Sequence, residues 1–132
     1  MRALTGSIAI LGAALMFGGC SDATDPDRAM FLFRDPGSNS VVRLEITNPT
    51  GLDQAGDLLA SGQAQWALGT PRRGDGGFNA PYSWHLDPAS ITFAEVTIEA
   101  CQAAASAVAD DLDYWIGFGQ VCLWGVVESR ER

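Results

Sequence analysis

The sequence predicts an α+β domain: a small antiparallel sheet with two helices packed on one face and one disulfide. Three observations lead there. Short segments alternate apolar and polar residues, two longer segments change to a helical period, and two cysteines remain after one is assigned to lipid. The order β-β-α-β-β-β-α-β lacks the regular alternation that builds a parallel sheet, so an antiparallel one is expected.

Phe31, Leu32 and Phe33 form a short apolar run, and Asp35-Pro36-Gly37-Ser38-Asn39 is dense in turn formers. Val42, Leu44 and Ile46 then alternate with Arg43, Glu45 and Thr47. The two runs predict a hairpin. Asn48-Pro49-Thr50 stops the second strand, and Thr50 with Asp53 has the form of a capping box. Leu52, Ala55, Leu58 and Leu59 share one helical face, and Gly62 is placed to end that helix.

Ala64 to Leu68, centred on Trp66, reads as a strand, and Pro71 to Pro81 as a glycine-rich loop. Tyr82 to Leu86 reads as a strand and Asp87-Pro88 as a turn. The clearest alternation runs from Ile91 to Ala100, with Ala94, Val96 and Ile98 on one face and Phe93, Glu95, Thr97 and Glu99 on the other. From Ala103 to Ile116 a helical stripe of Ala104, Val108, Leu112 and Trp115 predicts the second helix. Val121 to Glu128 is the last strand expected, and it carries Cys122.

Ahead of this domain, Met1-Arg2, the apolar stretch Ile8 to Phe17 and the small residues Gly18-Gly19 before Cys20 have the layout of a signal peptide. The apolar stretch is shorter than the ~20 residues that span a bilayer. The layout resembles the lipobox of bacterial lipoproteins, with Phe17 where leucine is usual. It implies cleavage before Cys20 and acylation of that residue, hence membrane attachment through the lipid on Cys20. Ser21, not Asp, follows the cysteine, which points towards the outer membrane. The expected organisation is a signal peptide over 1–19, an acidic flexible tether over 20–29 and one α+β domain over 30–132.

Of the eight basic residues, all arginine, cleavage removes only Arg2, so the mature chain carries −9 where the full chain carries −8. Such a surface repels nucleic acid and anionic head groups, and nucleic acid is not expected as a partner. With Cys20 assigned to lipid, Cys101 and Cys122 are expected to pair in an oxidising compartment. A metal site and a redox pair are the rival readings. The chain has one histidine and no Cys-x-x-Cys, so both lack residues.

The stretch from Gly76 to Pro88 gathers aromatics, the one histidine and a carboxylate beside a flexible loop. Asn79, Tyr82, Trp84, His85 and Asp87 are the candidate ligand-binding residues. In an extended strand Tyr82, Trp84 and Leu86 would share one face, and Ser83, His85 and Asp87 the other. The plain structural alternative has the aromatics filling the core, His85 bonded locally and Asp87 starting a turn. Arg73-Gly74-Asp75 matches the integrin-ligand tripeptide, a motif short enough to arise by chance. Asp110, Asp111 and Asp113, with Glu95 and Glu99, lack calcium-loop spacing and read as a solvated face. No cofactor or metal is expected. Ser83, His85 and Asp87 along one strand do not converge on a reacting atom, so no catalytic residues are assigned and an enzyme is not expected.

Phe78 to Pro88 with its Trp84-His85-Leu86-Asp87-Pro88 core, Phe93 to Cys101, and Cys122-Leu123-Trp124 together resemble a family of small exported bacterial domains. These take their label from the N-terminal domain of a calmodulin-binding protein. The resemblance runs from about Phe31 to Val127 and its retained cysteines support the pairing. Gln102 stands where the family commonly has Asp, and Leu123 where it has Pro. Calmodulin is acidic and selects basic amphipathic helices. Neither predicted helix is basic, so the label describes a fold. The function expected is a membrane-anchored, non-catalytic binding domain for a protein or small ligand. The alternatives are an inhibitor of an exported enzyme or a small hydrolase or metal-dependent enzyme using His85.

Overall fold

The computed structural model describes residues 26–131. The expected signal segment, Cys20 and the tether as far as Asp25 lie outside the described residues. Seven strands and three α-helices follow one another: β1 (Ala29–Arg34), β2 (Val41–Ile46), α1 (Pro49–Ser61), β3 (Ala64–Gly69), β4 (Pro71–Arg73), β5 (Trp84–Leu86), β6 (Thr92–Ala94), α2 (Ala105–Asp110), α3 (Leu112–Phe118) and β7 (Val121–Glu131). Two 3-10 turns, Pro88–Ser90 and Glu99–Cys101, lie between them. The class is α+β, as the sequence predicts.

Five strands form one antiparallel sheet in the order β2-β1-β7-β3-β6, and β4 and β5 form a separate antiparallel pair. The register follows from the alternation of side chains. Phe31 lies opposite Leu44, Phe33 opposite Val42, and Ala67 opposite both Leu123 and Phe93, so the buried side chains fall on one face. Ala55 and Leu58 of α1, Ala105 and Val108 of α2, and Trp84 and Leu86 of β5 close over that face. Gly125 permits a close contact in this core. A Cβ there would lie 2.7 Å from the Phe33 ring and 2.7 Å from the Arg34 carbonyl. Its absence lets Phe33 reach across the sheet to Phe93, with ring centroids 6.1 Å apart.

The opposite face is less covered. Trp66 and Trp124 are paired in register there, with centroids 5.2 Å apart, and Trp124 is 40% exposed.

Four sequence expectations are corrected. The cap of α1 is Asn48 and not Thr50: Asn48 Oδ1 accepts from the Gly51 N–H at 2.7 Å, with Pro49 in the first turn. Asn48 Nδ2 also donates to the Ile91 carbonyl at 2.7 Å, which ties the helix start to the approach to β6. Secondly, the expected loop from Pro71 to Pro81 begins as a strand, because β4 pairs with β5.

Thirdly, the expected strand from Ile91 to Ala100 pairs only over Thr92–Ala94. The disulfide supplies the reason. Thr92 and Cys122 both lie opposite Leu68, one on each side of β3. A strand running straight from Thr92 would carry Cys101 roughly 30 Å away, yet the two cysteine Cα atoms are 5.1 Å apart. The chain must turn back after Ala94.

Finally, the single helix expected over Ala103–Ile116 is two helices broken at Asp111, whose backbone (φ −142°, ψ 54°) is not helical. Val108 is buried from α2 as the stripe requires, while Ala104 precedes the helix and is exposed. Asp110, Asp111 and Asp113 crowd the break, and aspartate is a weak helix former.

Candidate functional site

The β4–β5 hairpin and its connection carry every ligand-binding candidate. Arg72 pairs with His85 and Arg73 with Trp84 across the two strands. The Gly74 N–H donates to the Ser83 carbonyl at 2.8 Å, which continues the ladder. Beyond it, Asp75 organises the tip. Its carbonyl accepts from the Phe78 and Asn79 N–H groups at 3.1 and 2.9 Å, and its Oδ1 accepts from the Gly77 N–H at 2.8 Å. Gly76 is left-handed (φ 68°) and passes under the His85 ring, 2.9 Å from where its Cβ would stand.

Asn79 is 2% exposed and both ends of its amide are engaged. Oδ1 accepts from the backbone N–H of Arg43 at 2.9 Å, and Nδ2 donates to the Trp84 carbonyl at 2.8 Å. One side chain therefore joins the hairpin connection to the outer edge of β2. Trp84 is fully buried, its Nε1–H has no partner among the described residues, and Tyr82 packs on its ring at 5.6 Å.

His85 and Asp87 are half-buried on the outer side of β5. His85 Nδ1 lies 2.7 Å from the Gly74 carbonyl. A carbonyl only accepts, so Nδ1 carries the hydrogen, and Nε2 has no hydrogen-bond partner among the described residues. The Phe78 ring meets the imidazole edge-on at 5.5 Å. Asp87 Oδ2 accepts from Arg72 Nη2 at 3.0 Å and Oδ1 from the Ala89 N–H at 3.2 Å, capping the 3-10 turn. The Arg72 hydrogen bond holds the Asp87 carboxyl below its usual value, with the Ala89 N–H adding to it and partial burial opposing.

The structure thus gathers Asn79, Tyr82, Trp84, His85 and Asp87 in one hairpin but divides them. Asn79 and Trp84 face inward, while Tyr82, His85 and Asp87 reach the surface in part. Ser83 is exposed and has no hydrogen bond between its hydroxyl and His85 among the described residues. Of the other motifs, Arg73 pairs with Asp113 at 2.6 Å and Asp75 is spent on its own turn. No group of three metal-ligating side chains comes together among the described residues. None of the described helices is long and apolar enough to cross a membrane.

Beside Asn79 the hairpin connection overhangs an open recess of about 580 Å³ lined by Met30, Arg43, Gly77, Phe78 and Glu131. Arg43 Nε donates to Glu131 Oε1 at 2.9 Å, and its two terminal nitrogens have no partner among the described residues. Sequence reasoning missed Met30, Arg43 and Glu131, which come from three strands and leave no local signal. Phe78 lay within the stretch singled out, yet its ring position is fixed by His85 and Gly76 in three dimensions.

Cys101 and Cys122 form the disulfide, with an S–S distance of 2.06 Å. The Ala103 N–H donates to the Cys122 carbonyl at 3.1 Å, so the crosslinked chain lies alongside β7 before entering α2.

No curated protein and no solved structure matches the chain. A family match covers nearly all of the described residues: 27–131 match the BP-74 N-terminal domain. The span includes the Trp84–Pro88 stretch and both paired cysteines, the features on which the resemblance rests. The chain belongs to the BP-74 N-terminal domain family.

Proposed function

We propose that this protein is an exported, lipid-anchored, non-catalytic binding domain of the cell envelope, and that its ligand enters the recess between Phe78 and Arg43. The recess is the observation that carries this reading. Its lining includes an arginine whose two terminal nitrogens have no partner among the described residues, together with Phe78 and Met30, and Asn79 fixes the neighbouring chain to the same residue that supplies the cation. A ligand that lays an apolar group on Phe78 and a carboxylate on Arg43 suits such a site, because a planar guanidinium pairs carboxylates in a fixed fork. Glu131 beside Arg43 favours a ligand that also offers a donor, such as a small amino acid or the end of a peptide.

The non-catalytic part of the proposal is supported by how the polar groups are used. His85 Nδ1 is bonded to Gly74, Asp87 is bonded to Arg72 and Ala89, and neither is hydrogen-bonded to a nucleophile among the described residues. Anchorage rests on the lipobox-like stretch before Cys20, and outer-membrane placement on Ser21 following it.

Two experiments test these readings separately. The purified chain with Cys20→Ser, which keeps it unacylated, is compared with the same chain carrying Phe78→Ser and Arg43→Gln in capture from envelope extracts and in small-ligand titrations. The ligand is expected to be lost in the second protein while its melting temperature stays close to the first. Equal retention by both proteins would remove the recess as the site. In cells, Cys20→Ser is expected to move the protein from the membrane fraction to the soluble one. Continued membrane association would refute lipid anchorage.

A further inference from the structure

We infer that the segment Glu95–Glu99, which follows β6, is a docking strand for an extended, basic peptide segment of a partner protein. This inference is independent of the recess. Its basis is a set of groups that the fold leaves unused.

Val96 is 81% and Ile98 63% exposed, the two most exposed large apolar side chains of the described residues. Burying either in the core would stabilise the fold, and the fold does not do so. The backbone is equally open. Among the described residues, the N–H groups of Glu95, Val96, Thr97 and Ile98 have no hydrogen-bond acceptor, and only the Ile98 carbonyl accepts, from Cys101 at 3.3 Å. Residues 96–98 take neither helical nor turn structure, and Ile98 is extended (φ −79°, ψ 145°).

This openness is held in place. At one end β6 is fixed in the sheet. At the other, Cys101 is bonded to Cys122, and Gln102 Nε2 donates to Thr97 Oγ1 at 3.2 Å. A strand that is already ordered loses little entropy when a partner pairs with it.

The limits of the docking strand are also on view. Gln54 of α1 covers the free edge of β6 by donating to the Phe93 carbonyl at 3.0 Å and accepting from its N–H at 2.9 Å. An incoming strand is excluded there and meets its first free backbone groups at Glu95. Ala94, Trp66 and Trp124 lie in one row across the adjoining sheet, and the exposed Trp124 offers an apolar flank.

Charge identifies the occupant. Glu95 and Glu99 bracket Val96 and Ile98, both are exposed, and the chain carries −8 overall. A second copy pairing antiparallel about Thr97 would set Glu95 opposite Glu99 twice, and like charges directly opposed are destabilising. A strand with β-branched residues at alternate positions and lysine or arginine at both flanks meets complementary charge and supplies the missing backbone partners.

The test uses the purified Cys20→Ser chain, ¹⁵N-labelled, titrated with two blocked peptides that share a Val-Thr-Val centre. One is flanked by lysines and the other by glutamates. The lysine peptide is expected to shift the amide resonances of Glu95–Ile98 and the Trp124 indole, and to bind at least about tenfold more tightly than the glutamate peptide. The double variant Glu95→Lys/Glu99→Lys is expected to reverse that preference. Val96→Ser/Ile98→Ser is expected to weaken the lysine peptide at least about tenfold with its melting temperature unchanged. The inference is overturned by equal binding of the two peptides, by no binding at about 1 mM, or by shifts confined to Phe78 and Arg43. Dimerisation of the chain that Val96→Ser/Ile98→Ser abolishes would overturn it as well, since the occupant would then be a second copy.

Discussion

Asn79–Asp87 and Glu95–Glu99 are two short stretches that leave the same small domain in opposite conditions. In the first, the amide of Asn79, Nδ1 of His85 and the carboxylate of Asp87 are spent on the protein itself. Asn79 joins Arg43 to Trp84, His85 holds Gly74, and Asp87 holds Arg72 and the 3-10 turn. In the second, four backbone N–H groups have no acceptor among the described residues, and two β-branched side chains meet solvent. The difference lies in what each stretch has beside it. β4 gives Trp84–Leu86 a partner strand, whereas the disulfide draws the chain away from β3 after Ala94. A segment rich in aromatic and titratable residues can therefore be structural cement on its inner side, while a plain Val-Thr-Ile segment keeps its capacity to bind.

The largest effect expected from this contrast is that of Asn79→Ala. The substitution leaves the part-buried Arg43 N–H and the buried Trp84 carbonyl without partners, at a cost of about 4 kcal/mol, read as a fall in the urea midpoint. A loss below about 1 kcal/mol would show that the amide is not the joint described.

Next comes the disulfide. Replacing Cys101 and Cys122 by serine together is expected to cost about 3 kcal/mol through the freed loop. It also releases the constraint that ends β6, so the amides of Val96 and Ile98 should change their exchange rates most. Unchanged exchange there would mean that something other than the disulfide turns the chain back.

A smaller effect belongs to the rim of the hairpin. Asp87→Asn breaks the partly exposed ion pair with Arg72 and is expected to cost about 0.5 kcal/mol near neutral pH. Because the Asp87 pKa is lowered in the folded protein, its contribution is full above the ordinary value of 3.8 and is lost as pH falls through the lowered value. The gap between the two proteins should therefore close in acid. A gap that widened in acid would contradict the assignment.

The smallest effect is expected at the second stretch. Val96→Ser/Ile98→Ser removes no buried contact and should change stability by less than about 0.5 kcal/mol. A loss of several kcal/mol would mean that these side chains are core.

How far the sequence carried the fold can be read from the same residues. The hairpin of β1 and β2, the start of β3 and the end of α1 at Gly62 were legible because they depend on neighbours in sequence: alternation, turn formers and a left-handed glycine. The Cys101–Cys122 pairing was legible by counting. The length of β6 was not, because alternation over Ile91–Ala100 records which faces a strand would present and says nothing about where a crosslink between cysteines 21 positions apart must bring its end. The break at Asp111 was hidden for a related reason, since the apolar stripe continues in phase across it.

The candidate site divides in the same way. The sequence pointed to this hairpin and to the alternation of Trp84 and Leu86 with His85. It did not reveal that Asn79 reaches β2, since that bond joins residues 36 positions apart. Nor did it reveal the recess, whose lining comes from β1, β2, β7 and the hairpin connection.

The most direct test of the division between the two stretches is native-state amide hydrogen exchange of the intact chain. The Arg43 amide, closed by Asn79, is expected to exchange only through near-global unfolding, while the amides of Val96 and Thr97 exchange at close to unstructured-chain rates. Fast exchange at Arg43, or protection of Val96 and Thr97 comparable to it, would contradict the account.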